Sequence, residues 1–448
     1  MRTTILVCLI AVAACAPLDR KKPFDEPAFV ASVDAIGRAV RGTEVGEGTF
    51  VAGWARAPIR VPSGAPLAGY GDREGAPHEG TADEVAVRAF VFGAGEHRVL
   101  VFSADLLLVD PAVVAAVTSR LSDVPPDRIF FTATHTHSGP GGFVPGVLWE
   151  IAFGGFVDAA FETVVDAHVR AAKEAWAAVE PARIGSASVR VPSLIANRVE
   201  TNGPVDDELF LLRFERVRDG RVAALWVYGC HAVTRPASNL LLSGDYPADV
   251  AAKVDVDLLG FAAGGVGSSN PKHERKTHAW IVNPLVSAVR RALRIAAARS
   301  RTSGVVASAR AYAPTPRFRY RVTRDVMVWG APISALVDMP VLTFGSIMID
   351  HTVWAFMPAE MSGELTAAMR RDARRHGVQL AVTSFNGTYV GYIVPRRVYD
   401  LPDELAADMH HYESHVMAFF GPYGGDLMVN LGLRMARGVH GRAWRWRR

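Results

Sequence analysis

The stretch Phe130-Phe131-Thr132-Ala133-Thr134-His135-Thr136-His137-Ser138-Gly139-Pro140-Gly141-Gly142 decides how the rest of the chain is read. It begins as an apolar strand, ends in two imidazoles one residue apart, and turns at once on glycines. Side chains at i and i+2 share one face of an extended strand. His135 and His137 can therefore address one site at a strand end, where ligands collect in α/β folds. Spacing alone leaves open a pair of surface histidines in a turn, so partners elsewhere must decide.

Working outward, Val85 to Phe92 and His97 to Ser103 read as strands, with Asp105 at the end of the second. Asp110 then caps a helix whose first residue, Pro111, has no N–H to leave unsatisfied. The strand Arg128 to Ala133 follows and delivers the histidines. Downstream, a helix is expected over Val157 to Val179, then strands over Ala182 to Val189 and Leu209 to Phe214, joined by a loop carrying Asn197 and Arg198. Val222 to Tyr228 is another apolar strand, ending at Cys230-His231. The glycine-rich run Phe261 to Pro271 reads as a loop, and Asn283-Pro284 as the start of a helix reaching Ala298.

The C-terminal part repeats the organisation around the histidines. A strand from Asp350 to Phe356 ends in Met357-Pro358-Ala359-Glu360, a helix runs through Arg375, and a strand from Gln379 to Ser384 leads into Phe385-Asn386-Gly387-Thr388-Tyr389-Val390-Gly391-Tyr392. The spacing from Asp105 to His135 nearly equals that from Glu360 to Tyr389. The expected fold is α/β: a layered sandwich with central sheets and outer helices, in which two similar α/β halves surround one shared site that holds metal-capable side chains.

Composition limits the function classes. The chain has 448 residues, half of them apolar, which is enough for a large core, and its net charge is +4 with the basic residues dispersed. No zinc-finger spacing, P-loop or dinucleotide fingerprint occurs, so nucleic acid is not an expected partner, and no required protein partner is evident. The tail Arg442-Ala443-Trp444-Arg445-Trp446-Arg447-Arg448 is basic and aromatic; it reads as a solvated terminus or as a contact to an anionic surface. Cys230 alone lies in the folded part, as a buried small hydrophobe, so no disulfide framework is expected.

Residues 1–14 read as a signal peptide, with Arg2 ahead of a short apolar run from Ile5 to Ala14. Val12-Ala13-Ala14-Cys15 resembles a bacterial lipobox. Cleavage there would leave Cys15 as a lipidated first residue, with residues 15–30 as linker and 31–448 as one catalytic domain. The expected location is the bacterial cell envelope, lipid-anchored at the periplasmic face or outer membrane, with plain secretion as the alternative.

Taken in order, the motifs resemble those of the neutral, non-lysosomal ceramidases, zinc amidohydrolases that cleave N-acylsphingosines. Thr134 to Phe143 is similar to that family's histidine signature, and Asn197-Arg198 to its Asn-Arg substrate loop. Cys230-His231 with Leu242-Ser243-Gly244-Asp245-Tyr246 resembles its second histidine and Ser-Gly-Asp segment. Pro358-Ala359-Glu360-Met361-Ser362-Gly363, Asn386 to Tyr392, and Tyr412-Glu413 with Gly421-Pro422 continue the order. The resemblance implies Zn²⁺ held by His135, His231, Glu360 and Tyr392, with His137 and Arg198 gripping the substrate at the scissile amide. Asp105, Asp245 and Tyr389 are expected just outside the ligands, since metal-bound imidazoles usually give their other N–H to a carboxylate.

One stretch departs from the pattern. Where the family carries Gly-Asp-Val-Ser-Pro-Asn, this chain has Gly264-Gly265-Val266-Gly267-Ser268-Ser269-Asn270-Pro271. The acid is missing and the serine displaced, so Ser268, Ser269 and Asn270 are at most substrate-loop residues. Phe143 to Trp149 is the expected apolar wall for an acyl chain. The expected reaction is hydrolysis of a linear amide in a lipid-like substrate by metal-activated water, with ceramide first in line. The alternatives are a zinc hydrolase acting on another amide or an ester, and a non-catalytic envelope protein that binds on the same scaffold.

Overall fold

The structure, a computed structural model, describes residues 15–18, 21–146, 149–272, 278–321, 323, 325–329, 341–401, 413–415 and 417–446. The signal peptide reading, Val147, Leu148, Tyr412, Arg447 and Arg448 lie outside the described residues. Twelve strands form one mixed sheet. In chain order they are β1 (Glu44–Pro58), β2 (Ala86–Ala94), β3 (His97–Ala104), β4 (Ile129–Ala133), β5 (Glu180–Arg190), β6 (Glu208–Arg216), β7 (Val222–Tyr228), β8 (Leu258–Ala263), β9 (Ser303–Ala313), β10 (Leu342–Ile349), β11 (Thr352–Phe356) and β12 (Gln379–Thr383). The principal helices are α1 (Pro27–Arg41), α2 (Pro111–Arg120), α3 (Asp158–Ala177), α4 (Asp245–Lys253), α5 (His278–Ala298), α6 (Gly363–Arg375) and α7 (Gly424–Trp446). Among the described residues no helix is long and apolar enough to cross a membrane.

The long strand β1 branches the sheet. Its first residues pair with β9, and its remainder pairs with β2 on one side and β5 on the other. Strand alternation then sorts the core. Phe90, Phe92, Phe130, Phe210, Phe214, Trp354 and Phe356 point inward to one aromatic cluster. The sheet curls so that this face meets itself, with Phe130 against Phe356 at 4.9 Å and Phe90 against Phe214 at 6.0 Å between ring centroids. Their sequence neighbours point outward. Val91, Phe131 and Leu211 belong to the cluster that holds the buried faces of α3 and α5, while Val353 and Ala355 belong to that of α1, α6 and α7. The result is the expected sandwich of central sheet and outer helices. Each fully buried phenylalanine contributes roughly 1.5–3 kcal/mol.

Both expected strand–helix–strand units are present, as the parallel pairs β3–α2–β4 and β11–α6–β12. Asp110 caps α2 by accepting from the Ala112 N–H at 2.8 Å, with Pro111 in the first turn. A third unit of the same form, β7–α4–β8, was not read from the sequence. The glycine run expected as a loop supplies the reason: Phe261 to Ala263 finish β8, and Ser269–Pro271 pairs antiparallel with Ile195–Asn197. Only Gly264 to Ser268 turn between them.

Two further expectations are corrected. Pro284 lies inside α5 and does not start it. The stripe Ile281, Val282, Leu285, Val286 and Val289 is buried on both sides of the proline, and this burial offsets a lost helical bond costing about 3 kcal/mol. The described residues of the stretch expected as linker, 15–18 and 21–30, make contacts with the domain. Cys15–Pro17 pairs with Val326 to Val328, Phe24 packs on Phe29 at 5.1 Å, and Glu26 forms an ion pair with Arg319.

Candidate metal centre

The carboxyl ends of the three parallel units meet. A bridge joins Thr136 to Ala232, the Gly267 N–H donates to the Met361 carbonyl at 2.9 Å, and the Ser384 N–H donates to Ala263 at 2.9 Å. His135 follows β4, His231 follows β7 and Glu360 follows β11, so each unit contributes one side chain to a common point. His135 is held in the left-handed region, φ 58°, where a β-carbon is crowded; its N–H donates to Leu106 at 3.0 Å. Such strain, of order 1–3 kcal/mol, persists only where the surroundings enforce it. One enforcing contact is Phe385, whose ring stacks on His135 at 4.4 Å and 17°.

The ring tautomers follow from the partners. His135 Nδ1 lies 2.7 Å from the Leu107 carbonyl, and His231 Nδ1 lies 3.2 Å from the Ser269 carbonyl. A carbonyl only accepts, so each Nδ1 carries the proton and each Nε2 presents a lone pair. Those Nε2 atoms stand 3.4 and 2.9 Å from Glu360 Oε1. All three atoms are buried and none completes a hydrogen bond. Two lone pairs and a carboxylate oxygen turned on each other repel unless a cation lies between them. This donor set fits a cation of the zinc type.

The electrostatics agree. Burial and the Arg198 charge push His231 down to about 4, which leaves it neutral at pH 7. Burial works against the Glu360 carboxylate, and positive charge on the side of His135 and His231 holds the carboxyl well below its usual range; with both rings neutral, a bound cation would supply that charge. His137 completes a group of three imidazoles whose nitrogens lie within 4.8 Å of one another. Its ring is 5.0 Å from that of His135 and 5.6 Å from that of His231, and neither nitrogen has a hydrogen-bond partner. Burial and the adjacent imidazoles hold it well below the usual histidine range.

The other expected residues divide. Tyr389 donates to Glu360 Oε2 at 3.2 Å. Tyr392 stands opposite Glu360 in the parallel ladder of Glu360–Met361 with Tyr392–Ile393. The Arg198 guanidinium lies over the Tyr392 ring at 5.4 Å and donates to the Gly267 carbonyl at 3.1 Å and to Asn270 Oδ1 at 3.4 Å. Asp105 and Asp245 are corrected: neither meets an imidazole. Asp105 pairs with Arg88 at 2.9 Å and accepts from the Ala86 N–H. Asp245 accepts from the Thr234 and Arg235 backbone. Main-chain carbonyls of Leu107 and Ser269 occupy the places expected for carboxylates.

The departing loop is also tied down. Ser268 donates to Glu364 Oε2 at 2.5 Å and accepts from the Gly363 N–H, while the Ser269 side chain is fully buried. Asn197, bonded to the same Glu364 at 2.8 Å, shapes the turn that aims Arg198. No acid fits at position 265, because a β-carbon there would stand 2.2 Å from Thr366 Oγ1. Phe143 and Val144 are buried in the core cluster that also holds Phe385 and Tyr389. Trp149 lies edge-on to Tyr389 at 5.7 Å.

Two residues given no role by the sequence reading belong here. Phe385 opens the Asn-Gly-Thr-Tyr run, and its stacking on His135 had no sequence signal. Glu413 lies in a quoted motif; its fully buried carboxylate pairs with Arg198 Nε at 2.7 Å.

Known proteins match this architecture. Residues 61–255 match the family described as neutral/alkaline non-lysosomal ceramidase, N-terminal. The neutral ceramidase of Mycobacterium tuberculosis is 31% identical over 180 residues, covering 35% of this chain and 28% of that protein. That of Pseudomonas aeruginosa is 28% identical over 176 residues, or 35% of this chain and 26% of its own length. The matched stretch thus spans little more than a quarter of these relatives. The crystal structure of neutral ceramidase from Pseudomonas aeruginosa superposes over 88% of this chain and 75% of its own, with TM-score 0.74 at 19% identity, a likeness of fold. A ceramidase complexed with C2 gives TM-score 0.71 at 18% identity over 88% of this chain and 76% of that one. The ordered motifs, the matched segment and the fold all point the same way: over residues 61–255 the chain is similar to the neutral/alkaline non-lysosomal ceramidases, and its fold is like theirs.

Proposed function

We propose that this chain is a zinc-dependent hydrolase that cleaves a linear amide in a lipid-like N-acyl compound. Ceramide, giving a sphingoid base and a fatty acid, is the first substrate to test. The observation that carries this reading is the convergence of His135 Nε2, His231 Nε2 and Glu360 Oε1 without hydrogen-bond partners. Tyr392, beside Glu360 in the ladder, is the fourth ligand. Zinc bound there would polarise the amide carbonyl and lower the pKa of water. Leu107 and Ser269 hold the two imidazoles in the ligating tautomer, and Tyr389 orients Glu360 through its second oxygen. His137, neutral and with both nitrogens unpartnered, donates to the oxygen that gains charge as the carbonyl is attacked. Arg198 directs its planar donors at the same end of the substrate. Ser268 is engaged by Glu364, and the reaction by metal-activated water requires no seryl nucleophile.

The same centre would open an ester or another N-acyl compound, and the tethered loop from Gly264 to Pro271 favours testing these alongside ceramide. A panel of ceramide, an N-acyl amino acid and a simple ester, assayed with and without chelator, separates the readings. Chelator-sensitive turnover of ceramide, abolished in His135→Ala and His231→Ala, is expected. Turnover of only another class removes ceramide as the substrate. A metal-free protein that turns over nothing is the non-catalytic envelope binder. We further propose that the mature chain begins at lipidated Cys15 on a bacterial envelope, on the strength of Val12-Ala13-Ala14-Cys15. Mass spectrometry of the N-terminal peptide tests this, and an intact, unmodified peptide spanning residues 12–16 refutes it.

A further inference from the structure

Arg198 carries a positive charge next to a site built to take a cation. The guanidinium lies over the ring of Tyr392, which stands opposite Glu360 in the ladder, and donates to the Gly267 carbonyl. An uncompensated guanidinium there would oppose a divalent ion by Coulomb repulsion. Its compensation is Glu413. This carboxylate is wholly buried and pairs with Arg198 Nε at 2.7 Å. Asn270 and the Gly267 carbonyl take further donors of the guanidinium, and the Tyr392 ring lies beneath it. Burying a carboxylate costs several kcal/mol unless it is paired. Here the charged partner among the described residues is Arg198.

We propose that Glu413 is a positioning residue of the metal centre: through Arg198 it neutralises the charge beside the cation and fixes the guanidinium over Tyr392. The assignment rests on the metal reading above and extends it to a residue that touches neither metal nor substrate. It predicts a charge cycle. Glu413→Gln removes this counter-charge from beside Arg198 and weakens zinc binding about tenfold. Arg198→Gln with Glu413→Gln removes both charges and restores the affinity, although turnover stays low because the grip on substrate is gone. Glu413→Asp keeps the charge and binds zinc nearly as the wild type does.

The test is zinc affinity at pH 8 by competition with a chromophoric chelator, for wild type, Glu413→Gln, Glu413→Asp and the double variant, with melting temperatures alongside. A tenfold loss in Glu413→Gln that the double variant reverses supports the proposal. Unchanged affinity in Glu413→Gln, with only the melting temperature lowered, overturns it and leaves a purely structural ion pair. Equal weakness in the single and double variants also overturns it. If Glu413→Gln fails to fold, the comparison of Glu413→Asp with the double variant carries the cycle, and a double variant weaker than Glu413→Asp by tenfold contradicts it. A folded wild type that takes up no zinc defeats the metal reading and this proposal with it. Zinc uptake with an intact cycle but no amide turnover defeats only the substrate.

Discussion

In the unit β3–α2–β4 the second residue past the last strand is His135, at φ 58°; in β11–α6–β12 the residue in that place is Phe385, at φ 63°. The two rings stack on each other. Each unit also places a buried acid just after its first strand, Asp105 in one and Glu360 in the other. The same backbone device is used in opposite ways. In the first unit the acid is neutralised by Arg88 and the ring after the second strand turns its Nε2 to Glu360. In the second, the acid faces two imidazole lone pairs, and the ring packs. A twice-used scaffold supplies left-handed platforms and buried acids. Their nearest neighbours decide which of them does chemistry.

Exchanging the roles of the two acids gives the largest expected effects. Glu360→Gln should abolish zinc uptake and turnover while the fold survives, since it relieves the crowding of lone pairs on a carboxylate. Asp105→Asn should do the reverse. It strands the buried Arg88 charge and destabilises the protein by roughly 3–5 kcal/mol, while the folded fraction still takes up zinc. Denaturant unfolding with metal analysis reads both. Zinc lost in Asp105→Asn or kept in Glu360→Gln would break the comparison.

The first unit has a further asymmetry at its back. His168 on α3 is fully buried, with its ring 5.0 Å from Phe102 and 6.0 Å from Phe131, and burial pushes it down to about 4 from 6.5. The unfolded chain therefore takes up this proton first as pH falls. The stability that the neutral ring allows is present above pH 6.5 and is lost as pH falls toward 4, by about 3 kcal/mol at most. His168→Leu should flatten that acid limb in a series of melts, and an unchanged slope would contradict it. The smallest effect belongs to the ring pair. Phe385→Leu forfeits the stacking, at about 0.5–1.5 kcal/mol, and loosens His135 enough to weaken zinc several-fold. Zinc affinity equal to wild type would show that the ring only fills space.

How much of this was legible follows the same division. Period-two alternation and the Asp110-Pro111 cap revealed the two units, and the ordered motifs named His135, His231 and Glu360, because those signals lie within short stretches. The third unit was missed because glycines at 264, 265 and 267 read as one long loop, although β8 runs into them. The partners of the imidazoles were misjudged for a different reason. A carbonyl such as that of Leu107 carries no sequence signature, whereas Asp105 and Asp245 looked available. Asp105 is already held by Arg88, from a neighbouring strand, and only the register of β2 with β3 shows this. Likewise, the stacking of Phe385 on His135 needs two strand ends brought together from distant parts of the chain.

The central claim is that His135, His231 and Glu360 hold a metal ion. Anomalous diffraction at the zinc edge, on crystals of zinc-loaded wild-type protein, tests it most directly. One strong peak within bonding distance of His135 Nε2, His231 Nε2 and Glu360 Oε1, absent in Glu360→Gln, is the predicted result. A featureless map at that point, or a peak held by other residues, would contradict the account.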